Sequence, residues 1–303
     1  VLLYNLRFAW WNVSLSPPAK TAKSNSCIDS YSLICGHIKN LLIDNSCDFI
    51  ALCEVSESDF IHIAESLIIS DDISFLDLTS KVGRTRFDMM VIYKKSKISV
   101  EHEFSLSQAV SGQTVKGGQL VKVENLNDSK IIYVYLCHWA SRLNGDSEKR
   151  RVAAANMVYS SAYDYMRIGH DVIVMGDFND NPYDDSMYKF LRASRCHDAV
   201  RKYPDEYFYN PFWRTIVSNY KYSHLNYDKS YRSGSYKYKQ FSGEIWHSYD
   251  QIVVSGSFLT GKNWHLNEFR TEIMQIDDIT LHYDDAGSFV DHLPVVCEIT
   301  RRI

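Results

Sequence analysis

A mixed α/β fold in one domain is what this sequence predicts, and three observations predict it. Apolar, β-branched runs of strand length recur from one end of the chain to the other, two stretches between them carry a helical period, and no Gly, Ser or Pro-rich linker divides the first half from the second. The 303 residues, 45% hydrophobic and 23% charged, have the composition of a globular protein able to bury a large core. In order, strands are expected over 6–13, 49–55, 89–93, 131–137, 172–175, 252–254 and 293–299. A helix is expected over 28–42, where Ile28, Tyr31, Ile34, Ile38, Leu41 and Leu42 recur at helical spacing, and another over 147–168, with Ala153, Met157, Ala162 and Met166. Between 204 and 247 Tyr and Lys dominate and neither period persists, so an irregular segment is expected there.

The formal net charge of -4 gives the molecule no overall cationic field, so any polyanion site has to be local. Seven cysteines, without a C-x-x-C pair and mostly in apolar runs, read as reduced core thiols, and the expected compartment is the cytoplasm. No stretch reaches the roughly 18 apolar residues of a spanning helix, and the opening 1–13 is broken by Asn5 and Arg7, unlike a signal-peptide core; a soluble protein with no membrane association is expected.

Polar residues of particular kinds stand where the apolar runs stop. VIVMGDFN ends a buried strand at Gly176 and presents Asp177 and Asn179, a carboxylate and an amide that suit a hard cation and a phosphate oxygen; the same string also reads as an Asx turn closing a strand. FIALCEV puts Glu54 between Cys53 and Val55, where an acid is costly unless it binds a metal, forms a salt bridge or already stands in water. His138 follows IIYVYLC, and His292 follows Asp291 just before LPVVCEI. Each imidazole is a candidate general acid or base, with a structural, hydrogen-bonded histidine as the competing reading. Asp250, ahead of QIVVS, can orient a histidine or cap a strand, and Asn12, ending LRFAWWN, can hold a phosphate or form a turn. Six strands thus each bring an acid, amide or imidazole to one end, and a sheet gathers its strand ends into one cleft. Together they read as a phosphoester site with one or two cations.

With these residues on the page, the chain resembles the endonuclease/exonuclease/phosphatase superfamily over nearly its whole length, and among its branches most closely deoxyribonuclease I. The resemblance rests on FAWWN with Asn12, ALCEV with Glu54, YLCHW with His138, VMGDFND with Asp177 and Asn179, SYDQIVVSGS with Asp250, and VDHLPV with Asp291 and His292. It implies a four-layer α-β-β-α sandwich with its cleft at one edge of the sheets, and phosphoester cleavage with Mg²⁺ or Mn²⁺. By matching position it implies that Glu54 binds the cation while Asp291 and Asn12 complete or support it. Asp177 and Asn179 would hold the scissile phosphate, the attacking water or a second ion. His292 would act on the nucleophilic water with Asp250 fixing its tautomer, and His138 would stabilise or protonate on the opposite side of the phosphate. The same branch pairs its first histidine with a carboxylate on an earlier strand, for which Asp88 in RFDMMVIYKK is the candidate, a plain surface acid being the other reading. Val290 stands where the family has Ser, which removes a hydroxyl but no ligand or base. HWASR is similar to an HWxSR variant of bacterial members, so Arg142 is expected to reach a phosphate or, with Ser141, to cap the following helix.

Marks of other branches are missing. Inositol-phosphate phosphatases carry P-x-W-x-D-R where this chain has HSYDQIV, and apurinic endonucleases place Tyr where His138 stands. The resemblance therefore implies a divalent-cation-dependent nuclease, with DNA favoured over RNA. The alternative is a phosphodiesterase or phosphatase acting on RNA, lipid or small phosphate esters; a non-catalytic binding module of the same fold is disfavoured because every core position is filled. The polyanion surface is expected within 210–243, where six cations face only Asp228 as an acid and tyrosines interleave. Lys229, Arg232, Lys237 and Lys239 are the expected phosphate contacts, against the competing reading of a loop packed over a sheet edge. An intracellular nuclease endangers its own genome, so a regulatory or inhibitory protein partner is expected as well.

Overall fold

The structure, a computed structural model, describes residues 3–302 apart from 20–21, 68–69, 143–145, 219, 227–230, 239–242, 262, 284 and 286–287. In chain order its elements are β1 (Leu3–Asn12), α1 (Ile28–Leu42), β2 (Phe49–Cys53), α2 (Glu57–Ser66), β3 (Ile73–Asp77), β4 (Ser80–Val82), β5 (Thr85–Phe87), β6 (Met89–Lys94), β7 (Ile98–Val110), β8 (Gln113–Asn125) and β9 (Lys130–His138), then α3 (Ser147–Arg167), β10 (Asp171–Asp177), β11 (Ala193–Ser194), α4 (His197–Lys202), β12 (Phe208–Tyr209), β13 (Tyr236–Lys237), β14 (Trp246–His247), β15 (Asp250–Ser255), α5 (Ser257–Thr260), β16 (His265–Ile273), α6 (Asp277–His282) and β17 (Val295–Arg302). Two large sheets result, one of six strands in the order β16-β17-β1-β2-β6-β3 and one of seven in the order β11-β12-β15-β10-β9-β8-β7.

The two sheets share a plan. Each has a central parallel pair, β1 beside β2 and β10 beside β9, flanked by antiparallel neighbours, and the seven-stranded sheet has a second, short parallel pair of β11 and β12 at its edge. Alternation along the strands sorts their side chains into layers. Ile173 and Met175 of β10 join Phe8 and Trp10 of β1 in an apolar core between the sheets, whereas Val172 and Val174 join Tyr135, Ala154 and Val158 in a second core beneath α3. Trp11 points the opposite way from Trp10 and meets His37 of α1 edge-on. Helices α1 and α2 cover the outer face of the six-stranded sheet with Ile34, Ile38, Leu41 and Ile63. The order α1/α2, sheet, sheet, α3 is the four-layer sandwich that the resemblance implies.

Register carries the polar residues to one edge. Asp177 lies level with His138 on one side and with Asp250 on the other. Cys53, which precedes Glu54, lies level with Asn12 and with Met89, which follows Asp88. Asp291 and His292 lead into β17, whose Val295 pairs with Trp10.

Every expected strand and both expected helices are present, but α2, β16 and the hairpin of β7 and β8 are additions. β7 is an edge strand exposed along most of its length, so it has no apolar run to read. Among its described residues the stretch 204–247 contains only short elements, anchored by Phe212 in the core. All seven cysteines are free thiols, five of them buried, with Cys27 and Cys196 exposed. Among the described residues no helix is long and apolar enough to cross a membrane.

Candidate active site

The edge where the strands end opens into a cleft of about 910 Å³, lined among others by Asn12, Glu54, His138, Asp177, Asp291 and His292. Three residues here hold backbone conformations that non-glycine residues rarely adopt: Ser14, Glu54 and Asn179, with φ of 52°, 59° and 52°. Such strain clusters where side chains must be aimed rather than merely packed. Gly176 answers a different demand, because a Cβ there would lie 2.2 Å from the Cys137 carbonyl oxygen, so only glycine lets β10 run this close to β9 at the cleft.

Two histidines face the cleft, each tied by Nδ1 to a buried aspartate. His292 Nδ1 lies 2.7 Å from Asp250 Oδ2, and its Nε2 lies 3.8 Å from Asp177 Oδ2 and 3.9 Å from Asp291 Oδ1. His138 Nδ1 lies 2.7 Å from Asp88 Oδ2, with Nε2 3.6 Å from Glu54 Oε1. Asp88 is fully buried, which removes the reading of a surface acid; its second oxygen accepts from Lys116 Nζ at 2.6 Å. Burial opposes the charge of both imidazoles, but the carboxylates outweigh it. Asp250 and Asp177 raise His292 well above the ordinary histidine range, and Asp88 raises His138 while Lys116 resists. Burial likewise works against the Asp88 carboxylate, yet His138 and Lys116 hold it well below the usual range.

Hard oxygen donors line the floor between the histidines. Burial pushes Glu54 up to about 7, with His138 and His292 opposing and Asp88 and Asp291 adding to it. A carboxylate this expensive to ionise, with a second one close enough to repel it, is a donor set that a divalent cation relieves, and oxygen-only chemistry suits Mg²⁺ or Mn²⁺. Asn12 gives its amide N–H to Asp177 Oδ2 at 3.0 Å, and Ser14 Oγ donates to Asp291 Oδ1 at 2.9 Å. Asp177, Asp250 and His292 also bring one donor atom each within 4.8 Å of one another. That triad suits a proton relay better than a metal, since Asp250 already accepts from Trp10 Nε1, Ser235 Oγ and His292 Nδ1. Asn179 is held by its own backbone, its N–H donating to Asp177 Oδ1 and its side-chain amide to the Trp139 carbonyl.

The expected cationic wall is differently arranged. Arg142 lines the cleft, but its guanidinium is tied to Asp180 at 2.6 Å and to Asp184, and stacks over Tyr249. Its charge is therefore largely matched before any phosphate arrives. Arg232 and Lys237, expected as phosphate contacts, do not line the cleft. Arg232 is half-buried near Tyr283 and Tyr220, and burial lowers its pKa. Lys237 lies over Trp246, because in β13 it alternates with Tyr236, and Tyr236 takes the cleft side. Lys229 and Lys239 lie outside the described residues. Tyr236 and Tyr238, rather than Lys237 between them, border the cleft. Arg150 of α3 borders it too, with a buried Nε that has no hydrogen-bond partner.

Several residues at the site carry no catalytic signal in the sequence: Trp10, Trp11, Ser14, Lys116 and Ser235. Only the paired tryptophans of FAWWN leave a trace, since a buried indole N–H needs an acceptor, and theirs are Asp250 Oδ1 and the His292 carbonyl.

Comparison with known proteins agrees with this geometry. Residues 20–289 match the Endonuclease/Exonuclease/phosphatase family. No curated protein matches the sequence. Among solved structures the chain is similar to the catalytic domain of human Nocturnin with bound sulfate (13% identity, TM-score 0.58, covering 98% of this chain and 95% of that one). It is similar to a mannosyl-6-phosphatase of Bacteroides thetaiotaomicron (16%, 0.57, 97% and 99%). A third is D. rerio TDP2 complexed with a single-strand DNA product (13%, 0.56, 97% and 98%). At these identities the likeness is one of fold.

Proposed function

From a chain that belongs to the endonuclease/exonuclease/phosphatase family, whose members are metal-dependent phosphoesterases, we propose a divalent-cation-dependent nuclease that hydrolyses phosphodiester bonds, with DNA favoured as substrate and Mg²⁺ or Mn²⁺ as the cation. The observation that carries this reading is the pair of His–Asp units that line one cleft, each with Nε2 toward a carboxylate of its floor. A phosphoryl group between them has a proton acceptor on one side and a proton donor on the other, as in-line displacement requires.

In this reading Glu54 and Asp291 hold the cation, supported by Asn12. When bound, it neutralises charge on the phosphoryl oxygens. Asp250 accepts the Nδ1–H of His292, so Nε2 is the atom presented to the attacking water and takes its proton. Asp177 and Asn179 hold the scissile phosphate or orient that water. His138, with Nδ1 fixed on Asp88, delivers a proton from Nε2 to the leaving oxygen.

A second reading, hydrolysis of a smaller phosphate ester, is favoured by one observation: of the expected cations that are described, Lys237 and Arg232 do not line the cleft and Arg142 is already paired. The experiment is incubation with plasmid, linear DNA, single-stranded DNA, RNA and bis(4-nitrophenyl) phosphate in Mg²⁺, Mn²⁺ or EDTA. Cation-dependent DNA cleavage is expected. Turnover of the small ester alone favours the second reading, and no turnover of any substrate in any cation overturns both.

A further inference from the structure

The irregular stretch expected to carry phosphate contacts delivers something else to the cleft. Ser235, which is fully buried, closes a two-bond ring with Asp250: its Oγ donates to Asp250 Oδ2 at 2.7 Å, and the Asp250 backbone N–H donates back to Oγ at 3.1 Å. Asp250 Oδ2 is the same oxygen that holds His292 Nδ1. The strap around Ser235 is laid along the chain at His292. Leu293 N–H donates to the Ser235 carbonyl at 2.8 Å, Lys237 N–H donates to the Asp291 carbonyl at 3.3 Å, and the Tyr236 ring lies 4.6 Å from the imidazole. Its approach is built in, because a Cβ on Gly234 would lie 2.1 Å from the His247 carbonyl oxygen.

A carboxylate accepting from one donor per oxygen can swing about its Cβ–Cγ bond. Here the hydroxyl that donates to Oδ2 is itself pinned by the Asp250 backbone N–H, so it cannot follow a swinging carboxylate, and the swing breaks its bond to Oδ2. Trp10 Nε1 fixes the other oxygen at 3.1 Å, so Asp250 is held at both oxygens and His292 inherits that orientation. We propose that Ser235 is a positioning residue for the hydrolysis, acting on His292 through Asp250. This rests on the reading that the His292–Asp250 pair takes the proton of the attacking water. The competing role is purely structural, a buried hydroxyl that satisfies a strand-end N–H.

A double-mutant cycle separates the two. Turnover of bis(4-nitrophenyl) phosphate and of plasmid DNA in Mg²⁺ is measured for Ser235→Ala, Asp250→Ala and the double variant, with thermal melting as the folding control. Ser235→Ala is expected to lower kcat by about 10- to 100-fold with KM changed less than about twofold, and to cost less than about twofold once Asp250 is already Ala, because residues acting as one unit are not additive. If Ser235→Ala does not fold, Ser235→Cys keeps the shape with a much weaker donor and is expected to lose about tenfold in kcat. Normal kcat in the folded serine variant, or the same fold-loss in both backgrounds, overturns the proposal. Impaired Asp250→Ala beside unimpaired Ser235→Ala overturns the role of Ser235 alone, whereas normal turnover in Asp250→Ala overturns the relay and Ser235 with it.

Discussion

The two histidines of the cleft are held alike and backed differently. Each reaches a buried aspartate through Nδ1 at 2.7 Å and turns Nε2 toward cleft carboxylates. Behind Asp88 stands a cation, Lys116, whereas behind Asp250 stand two neutral donors, Trp10 and Ser235. Lys116 sets a limit on how far His138 is raised, while His292 sits among Asp250, Asp177 and Asp291 and is raised well above its ordinary range. The same imidazole–carboxylate unit is thus tuned by what stands behind the carboxylate. His138 carries a permanent counter-charge in the chain. Among the described residues His292 has no such fixed charge behind its aspartate, and in the proposed reaction a cation beside Asp291 would ease the release of its proton.

Replacing the members of the His292 side has the largest expected effect. His292→Ala and Asp177→Ala should each lower turnover by at least about a hundredfold, the scale of a general base or a main electrostatic stabiliser, with melting temperature little changed for His292→Ala. On the His138 side, Lys116→Met removes the fixed counter-charge. It leaves Asp88 buried with His138 and the Glu54 backbone N–H on Oδ2 and no donor on Oδ1, so it should destabilise the protein by about 3 kcal/mol in chemical denaturation, the scale of a broken buried ion pair. If that variant melts like the parent, Lys116 is not what distinguishes the two halves.

Smaller effects concern the floor between them. Glu54 is raised by burial to about 7, above its unfolded value, so in the absence of a cation the folded state binds more protons than the unfolded one between those two values. Stability of the cation-free protein should therefore fall as pH rises toward 7. Added Mg²⁺ should raise the melting temperature more at pH 8 than at pH 5.5, because only the ionised carboxylate binds it. An equal rise at both pH values would remove Glu54 from the cation site. Least of all, Ser14→Ala deletes one hydrogen bond to Asp291 and should weaken Mg²⁺ binding by about 1 kcal/mol in titration calorimetry, roughly the net worth of such a bond.

How much of this was legible follows from where the signals lie. β2, β10 and β15 are buried along their whole length and carry apolar runs at their centres, and the polar residues at their ends are conspicuous against that background. Asp88 could be paired with His138 only through a resemblance, since 50 positions separate them. Lys116 meets Asp88 across 28 positions, Ser235 meets Asp250 across 15, and Trp10 meets Asp250 across 240, and no periodicity predicts such meetings. In the segment 204–247 a charge count carries no facing: facing is decided by alternation, and in a strand of two residues Tyr236 and Lys237 must take opposite sides.

The division of labour between the two histidines is tested most directly by a leaving-group series. kcat/KM is measured in Mg²⁺ for aryl phosphodiesters whose leaving phenols span about four pKa units, for the parent, His138→Ala and His292→Ala. A proton donor matters only when the leaving oxygen is basic, so His138→Ala should be close to normal with the most acidic phenol and fall progressively further behind as the phenol becomes less acidic. His292→Ala should fall by about the same factor across the series, at least about a hundredfold, because it acts on the attacking water. Parallel losses in both variants, or a leaving-group dependence that appears in His292→Ala instead, would contradict the account.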